Sequence, residues 1–395
     1  MPINSALALS RLTLTDFRNY AHMTLETGPE PVVLTGPNGA GKTNLLEAVS
    51  LLAPGRGLRA VPYGELARHG AGRGWAVAAR LGAPDSEIRI GTAWTGGAAA
   101  DGNGAENARG QSRQVQIDGV MQKSSGALAR HVRMLWLTPA MDRLFAGPAS
   151  DRRRFLDRLV IAFDAEHGAR VQAFEKLMRE RNRLLEGVRP DPDWLSSLES
   201  RMAEAAIAVA ASRHTAIEAL SALMSANAGA DSPGGFPWGR LEIAGELEAR
   251  IASGPAVEVE ERYRSILRES RAADAAAGRT LSGPHRSDLR VVHGPKGTDA
   301  RQCSTGEQKA LLIGIILAHA RAIAAALGGQ APVLLLDEVA AHLDETRRNG
   351  LFEALQALGV QAWMTGTDAG LFRAAAGQAR FFEVRDGAVG SPVHQ

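Results

Sequence analysis

Cysteine is nearly absent from this sequence: Cys303 is the single one in 395 residues. That excludes an intramolecular disulfide and any zinc site built from several thiolates, and it fits a reducing compartment. Lysine is scarce as well, at five of the 45 basic side chains. With Ala and Gly abundant, we read this as the mark of a GC-rich genome and not of arginine chemistry. Neither sign of charge dominates, since 45 Lys and Arg face 43 Asp and Glu. A polyanionic partner would have to be met by a local surface and not by the net field. No uninterrupted apolar run of about 18 residues occurs, and the N-terminus lacks a basic stretch leading into a long apolar core. The expectation is a cytoplasmic protein with no signal peptide and no membrane span. Internal repeats and sustained heptads are missing too, while the length suffices for two or three domains.

What is present is a change of period along the chain. RLTLTDF alternates, MTLE returns, and PVVLTG is an apolar β-branched run that ends at glycine. WAVAARL, EIRIGTA and RQVQIDG follow as short strands, with a Gly/Ala/Asn-rich loop from 96 to 110 among them, and MLWLT reads as a buried strand. From about 150 to 275 the spacing becomes helical, with Phe155, Leu156, Leu159, Val160 and Phe163 on one stripe. A Gly/Pro/Asp-rich segment (228–240) breaks the helices. After 280 the strands DLRVV, PVLLLDE, VQAWMTGT and RFFEV return. The pattern predicts an α/β head split by a helical insertion, with boundaries at 1–148, 149–277 and 278–395.

Gly36-Pro37-Asn38-Gly39-Ala40-Gly41-Lys42-Thr43 fits G-x-x-x-x-G-K-[ST] in full, after an apolar strand and before the helical LLEAVSLL. The glycines let backbone N–H groups wrap a β-phosphate, Lys42 supplies a cation for the β/γ oxygens, and the Thr43 hydroxyl can ligate Mg²⁺. PVLLLDE is a buried strand ending in two carboxylates. Asp337 at its tip can hold Mg²⁺, and Glu338 can polarise an attacking water. Ser304, Thr305 and Gly306 open an apolar helix, which makes them a ready anion site, yet they lie far from the loop at 36–43.

These three motifs, in this order, resemble the ABC-type ATPase set. That resemblance implies that the Ser-Thr-Gly turn meets the γ-phosphate held by a second copy of the chain, so that two ATPs are buried in a homodimer. Thr43 and Ser304 are much further apart than the same motifs in ABC transporter subunits, and the helical segment is too short for the long coiled coil of the chromosome-structure ATPases. LTDFRNY (14–20), GPNGAGKTNLLEAV (36–49), GRGLR (55–59), LTP with RRRFLDR (152–158), KLMRERNRLL (176–185), SGPHRSDL (282–289), STGEQKALL and LLLDEVAAHLD (334–344) run along almost the whole chain. Together they closely resemble the RecF family of bacterial recombination-mediator ATPases.

The resemblance implies ATP and Mg²⁺ as cofactors and a weak, DNA-stimulated ATPase that dimerises as a clamp on duplex DNA at single-strand gaps. RecR would be a partner, with RecO and RecA engaged indirectly, in recombinational repair, replication restart and SOS induction. It also implies Asp344 as the residue signalling across the dimer. The sequence departs from the common ABC pattern in three places. Its signature reads Cys303-Ser304-Thr305-Gly306-Glu307, with an acid whose side chain would have to point away from the phosphate or cap the Ser304 N–H. No glutamine follows MLWLT, and Thr365 or Thr367 stands where a switch histidine is usual. These departures favour slow hydrolysis.

Phosphate contacts with DNA need rows of cations. Arg56 and Arg59 lead, in a Gly-flanked loop; Arg152 and Arg153, with Arg154 and Arg158, decorate the first inserted helix; Arg179 and Arg183 share a helix face with Lys176. The competing reading for each is a solvated face paired with nearby acids. SGPHRSDL gains no chemical role from its residues, and Cys303 reads as an apolar filler. The alternative to the DNA-binding ATPase is a small-molecule P-loop kinase, which would be monomeric and leave STGEQ without a task.

Overall fold

A computed structural model describes residues 7–70, 74–82, 87–96, 113–187, 191–226 and 235–390. The expected loop at 96–110 lies almost wholly outside them, as does much of 228–240. The chain forms two compact units, Met1–Asp142 with Lys309–Gln395, and Arg143–Gly229 with Pro237–Gln308.

In the first unit, β1 (Leu9–Phe17), β2 (Tyr20–Glu26), β4 (Trp75–Leu81), β5 (Ile88–Trp94), β6 (Gln114–Ile117) and β7 (Val120–Met121) make an antiparallel sheet in the order β2-β1-β4-β5-β6-β7. The alternation read from the sequence is real: Leu12 and Leu14 are fully buried while Thr13 between them is not. A second sheet joins β3 (Val32–Thr35), β8 (Met134–Leu137), β12 (Val333–Leu336), β13 (Ala362–Gly366), β14 (Arg380–Arg385) and β15 (Ala388–Val389), in the order β15-β14-β3-β13-β12-β8. All its pairings are parallel except β14 with β15. Its central strands are buried on both faces, which is why they read as unbroken apolar runs. α1 (Lys42–Ser50) and α9 (Glu345–Leu358) also belong to this unit. One core of Leu, Val, Phe and Trp side chains, including Phe17, Leu34, Leu46, Trp75, Leu335 and Trp363, spans both sheets.

The second unit holds α2 (Ala149–Phe163), α3 (His167–Leu185), α4 (Pro192–Ala226), α5 (Glu246–Ile251), α6 (Ala256–Glu269) and α7 (Arg271–Ala277). It also holds a small antiparallel sheet: β9 (Gly239–Ala244), β10 (Asp288–His293) and β11 (Thr298–Asp299), in the order β11-β10-β9. Its own core runs through Phe174, Met202, Ala206, Tyr263 and Leu267. Arg181 is fully buried there and satisfied by Glu199 at 3.1 Å, Asp274 at 2.7 Å and the Leu267 carbonyl at 2.7 Å, as a buried guanidinium requires.

The expected boundary at 277/278 differs from this division. GRLEIA, inside the region read as helical, forms β9 and pairs with β10 from Gly239↔His293 to Ala244↔Asp288, so the chain up to Gln308 packs with the inserted helices. The units part within α8 (Thr305–Ala326). α8 is the one described helix long and apolar enough to cross a membrane, but it is mostly buried as a core helix, through Leu311, Ile313, Ile315, Ile316, Ala320 and Ile323.

Candidate nucleotide site

β3 delivers the chain into the loop Gly36–Gly41, and Gly41 caps α1. Gly36, Gly39 and Gly41 take φ of 143°, 80° and 115°, values that side-chain-bearing residues rarely adopt. A Cβ on Gly36 would lie 2.2 Å from the Val384 carbonyl oxygen, and one on Gly41 2.6 Å from the Tyr20 hydroxyl. At Gly39 a Cβ would meet nothing within 4 Å, so the crest of the loop faces open space. Lys42 is buried, and its Nζ donates to the carbonyls of Gly36 at 2.6 Å and Pro37 at 2.8 Å. Burial lowers its proton affinity, and the Glu338 and Asp337 carboxylates act against that.

β12 lies between β8 and β13 and carries Asp337 to the end of the sheet, where its N–H donates to the Leu137 carbonyl. The buried Asp337 Oδ1 accepts from the Thr43 hydroxyl at 2.9 Å and from the Thr365 hydroxyl at 2.7 Å. Thr365 in turn accepts from the Glu338 N–H at 2.9 Å. Glu338 itself has φ 50°, a left-handed conformation for a residue with a side chain. Residues from three strand ends and α1 are thus linked in one chain of hydrogen bonds. Of the two candidate threonines, Thr365 at the fourth position of β13 is the one in this chain; Thr367 lies past the strand end and is exposed.

The support behind the loop comes from LTDFRNY, to which residue reading alone gave no function. Asn19 Nδ2 donates to the Ala40 carbonyl at 3.1 Å, and the Tyr20 hydroxyl donates to the Gly41 carbonyl at 3.1 Å. Burial raises the Tyr20 pKa, which keeps the hydroxyl a donor. Arg18 holds Glu47 of α1 with two bonds of 2.8 and 2.9 Å. The only sequence signal for these roles is the turn that joins β1 to β2, since the partners lie about two dozen residues downstream.

Ser304, Thr305 and Gly306 are exposed at the start of α8. The Ser304 N–H donates to Glu307 Oε2 at 3.0 Å and the Glu307 N–H to Ser304 Oγ at 3.4 Å, a reciprocal capping box. Glu307 also pairs with Lys296 at 2.5 Å. That pairing and the Ser304 contacts hold its carboxyl down at about 2, and the acid is turned onto its own turn. Cys303 is buried beside the Asp299 carbonyl, in keeping with a filler. Asp344 caps α9, accepting from the Arg347 N–H at 2.8 Å.

The arginine candidates separate sharply. Arg152 is buried, holds Asp288 at 2.7 and 2.8 Å and donates to the carbonyls of Phe145 and Gly147. Its expected place among the DNA contacts is corrected: the guanidinium is buried and committed to four bonds inside the protein. Arg59 pairs with the buried Glu47 at 2.8 Å and bonds Asn44 at 2.9 Å, so it braces α1. Arg179 pairs with Glu175 at 3.7 Å on an exposed helix face, and Arg56 and Arg183 are exposed with no side-chain partner among the described residues. Arg153 is half-buried and donates to the Ser287 carbonyl.

Residues 8–389 match the family described as the RecF/RecN/SMC N terminal domain. The DNA replication and repair protein RecF of Mesorhizobium japonicum is 51% identical over 382 residues, covering 97% of each chain. That of Brucella suis biovar 1 is 51% identical over 384 residues, covering 96% of this chain and 95% of its own. Among solved structures, the recombination mediator protein RecF-ATP in the RecFOR pathway superposes with a TM-score of 0.82 at 22% identity over 98% of both chains. The Smc head domain of Pyrococcus furiosus gives 0.53 at 14% identity, over 98% of this chain and 96% of its own, a likeness of fold. With the ABC-type head geometry in place and half of all positions shared along nearly the full length, the chain belongs to the RecF family.

Proposed function

We propose that this protein is an ATP-dependent DNA-binding protein whose output is a dimeric clamp, acting in recombinational repair as its relatives' name and pathway suggest. The reading is carried by one observation: Gly306 has no reason within its own chain to be glycine. It lies in the first turn of α8, and a Cβ there would meet nothing within 4 Å. A helical glycine costs about 1 kcal/mol relative to alanine. An exposed Ser-Thr-Gly turn kept bare at that cost suits close approach by something outside the chain, and the phosphate on a second copy's loop has the right charge for a helix N-terminus.

The residues present fit ATP with Mg²⁺. The crest at Gly39 is open, and Lys42 is held by two carbonyls that an incoming phosphate can replace. Mg²⁺ completes its shell with phosphate and water and needs no all-protein cage. Thr43 and Asp337 would hold it, and bound there it would neutralise charge between the β- and γ-phosphates. Glu338 is the residue that orients and polarises the attacking water, and Thr365 fixes the backbone from which it projects. Asp344, which caps α9, would carry the signal between subunits, as the family resemblance implies. With no glutamine after β8 and a threonine in the switch position, turnover is slow and serves release.

DNA would be met by Arg56, Arg153, Arg179 and Arg183, with RecR as the direct protein partner and RecO and RecA reached through it, in the cytoplasm. The kinase reading leaves Gly306 unexplained and is set aside. Sedimentation velocity with and without ATP tests the clamp. An ATP-dependent dimer that disappears in Ser304→Arg is expected; a monomer in both proteins, with ATP bound, would overturn it.

A further inference from the structure

SGPHRSDL takes no part in the nucleotide site, yet it walls a cavity of its own. This cavity, about 210 Å³, lies within the second unit and is bounded by α2, α3, α4 and the turn at Pro284–Arg286. The turn is firmly built. Gly283 has φ 132°, and a Cβ there would lie 2.4 Å from the Tyr263 hydroxyl, which donates to the Ser282 carbonyl at 2.8 Å. Arg213 donates to the Pro284 carbonyl at 2.6 Å. His285 donates from Nε2 to the Thr280 carbonyl at 2.9 Å and stacks on Phe174 with ring centroids 5.7 Å apart. Burial lowers its pKa, so the ring is a neutral wall.

The charges around the cavity are nearly all matched. Arg213 is satisfied by Asp157 at 2.8 Å and Glu248 at 3.2 Å, and Asp157 also bonds His167. Arg154 pairs with Asp151, Glu175 with Arg179, and Asp288 with Arg152 and Arg301. Two guanidiniums remain. Arg153 lines the cavity, donates only to the Ser287 carbonyl and has no carboxylate within ion-pair reach among the described residues. Arg286 is exposed, and its side chain has no partner among the described residues. Burial and then the like charge of Arg213 lower the proton affinity of Arg153, with Arg286 adding to them; the Asp288 and Asp157 carboxylates, outside ion-pair reach, act against that without cancelling it. A half-buried cation with no directly paired carboxylate is costly, and a planar guanidinium is the side chain best shaped to take two oxygens of one anion.

We infer that this cavity binds a phosphate group, held by Arg153 on its lining and by Arg286, which follows the lining His285 in the chain, against the Phe174–His285 wall. The phosphate is either a diester of a nucleic-acid backbone or free inorganic phosphate. The first source rests on the DNA-binding reading above; the second does not.

The test uses the full chain, the double variant Arg153→Gln/Arg286→Gln, Arg286→Gln alone, and Arg250→Gln as a control on an exposed ion pair. Duplex DNA binding is followed by fluorescence anisotropy across a KCl series, and melting temperature is read with and without inorganic phosphate. If the site takes a DNA phosphate, the slope of log K against log[KCl] falls by about 0.9 in the double variant and by part of that in Arg286→Gln. Nucleotide affinity and the control stay at wild type. If the slope is unchanged but the wild-type stabilisation by phosphate disappears in the variants, the source is free phosphate. If neither readout changes, the inference is overturned. Arg286→Gln keeps the test decisive should the double variant misfold, because that exposed side chain has no partner among the described residues. A wild-type chain that binds no DNA at all would remove the proposed function, while the phosphate measurement would still decide this site.

Discussion

Two glycine turns in this protein obey different rules. At Gly36 and Gly41 the chain's own atoms forbid a Cβ, at 2.2 Å from a carbonyl and 2.6 Å from a hydroxyl. At Gly306 nothing forbids it. The first turn is finished by its own fold: β14, Asn19 and Tyr20 surround it and α1 continues from it. The second is satisfied in its own hydrogen bonds, through Glu307, yet presents a bare, exposed face. A glycine required from within marks a site that a monomer can build. A glycine left without an internal reason marks, in the reading we propose, one that another body completes.

The largest way to break this comparison is Gly36→Ala. Strain at φ 143° and collision with the Val384 carbonyl predict a loss of roughly 3 kcal/mol in urea unfolding, together with loss of nucleotide binding. An unmoved midpoint would mean that the loop is not held as described. Thr365→Val comes next. It removes a donor from the buried Asp337 and an acceptor from the Glu338 N–H, for about 1–2 kcal/mol. ATPase kinetics should show kcat falling about tenfold with KM little changed, and Thr365→Ser should restore it. Equal activity of the valine and serine proteins would remove Thr365 from the site.

Gly306→Ala sharpens the contrast, because the same substitution should act in the opposite sense on the monomer. Stability is expected to hold or to rise by up to about 1 kcal/mol, while ATP-dependent dimerisation weakens about tenfold by analytical ultracentrifugation. Unchanged dimerisation would return the turn to an ordinary helix cap. The smallest effect concerns Glu307. Its carboxyl lies at about 2 against an ordinary 4.5, so the cap's contribution is complete above pH 4.5 and fades as pH falls through 2. The Ser304 amide shift followed by NMR should titrate near the lower value, and Lys296→Ala should move it upward.

Much of the site was legible because its signals are local. The loop at 36–43, the strand ending in Asp337 and Glu338, and the Glu307 cap each declare themselves within a few residues. The arginines were not legible for the opposite reason. Arg152 is spent on Asp288, 136 positions away, and Arg59 on Glu47 of a helix that precedes it. Sequence can show a cation but not a distant counter-ion. β9 was missed because a short alternating strand inside a helical region has meaning only through its partner β10. Thr365 and Thr367 were separable only once the end of β13 was fixed at Gly366.

Glu338, with its left-handed backbone, has a further consequence. That conformation costs on the order of 1 kcal/mol, and the Thr365 hydroxyl clasps the same peptide. The direction of the Cα–Cβ bond, from which the carboxylate extends, is therefore set by the main chain. A drift toward glycine here would relax the backbone and lengthen the protein's life in heat or denaturant, while removing the carboxylate to which we assign the water-polarising step. Under that assignment, robustness and turnover pull in opposite directions at this one residue.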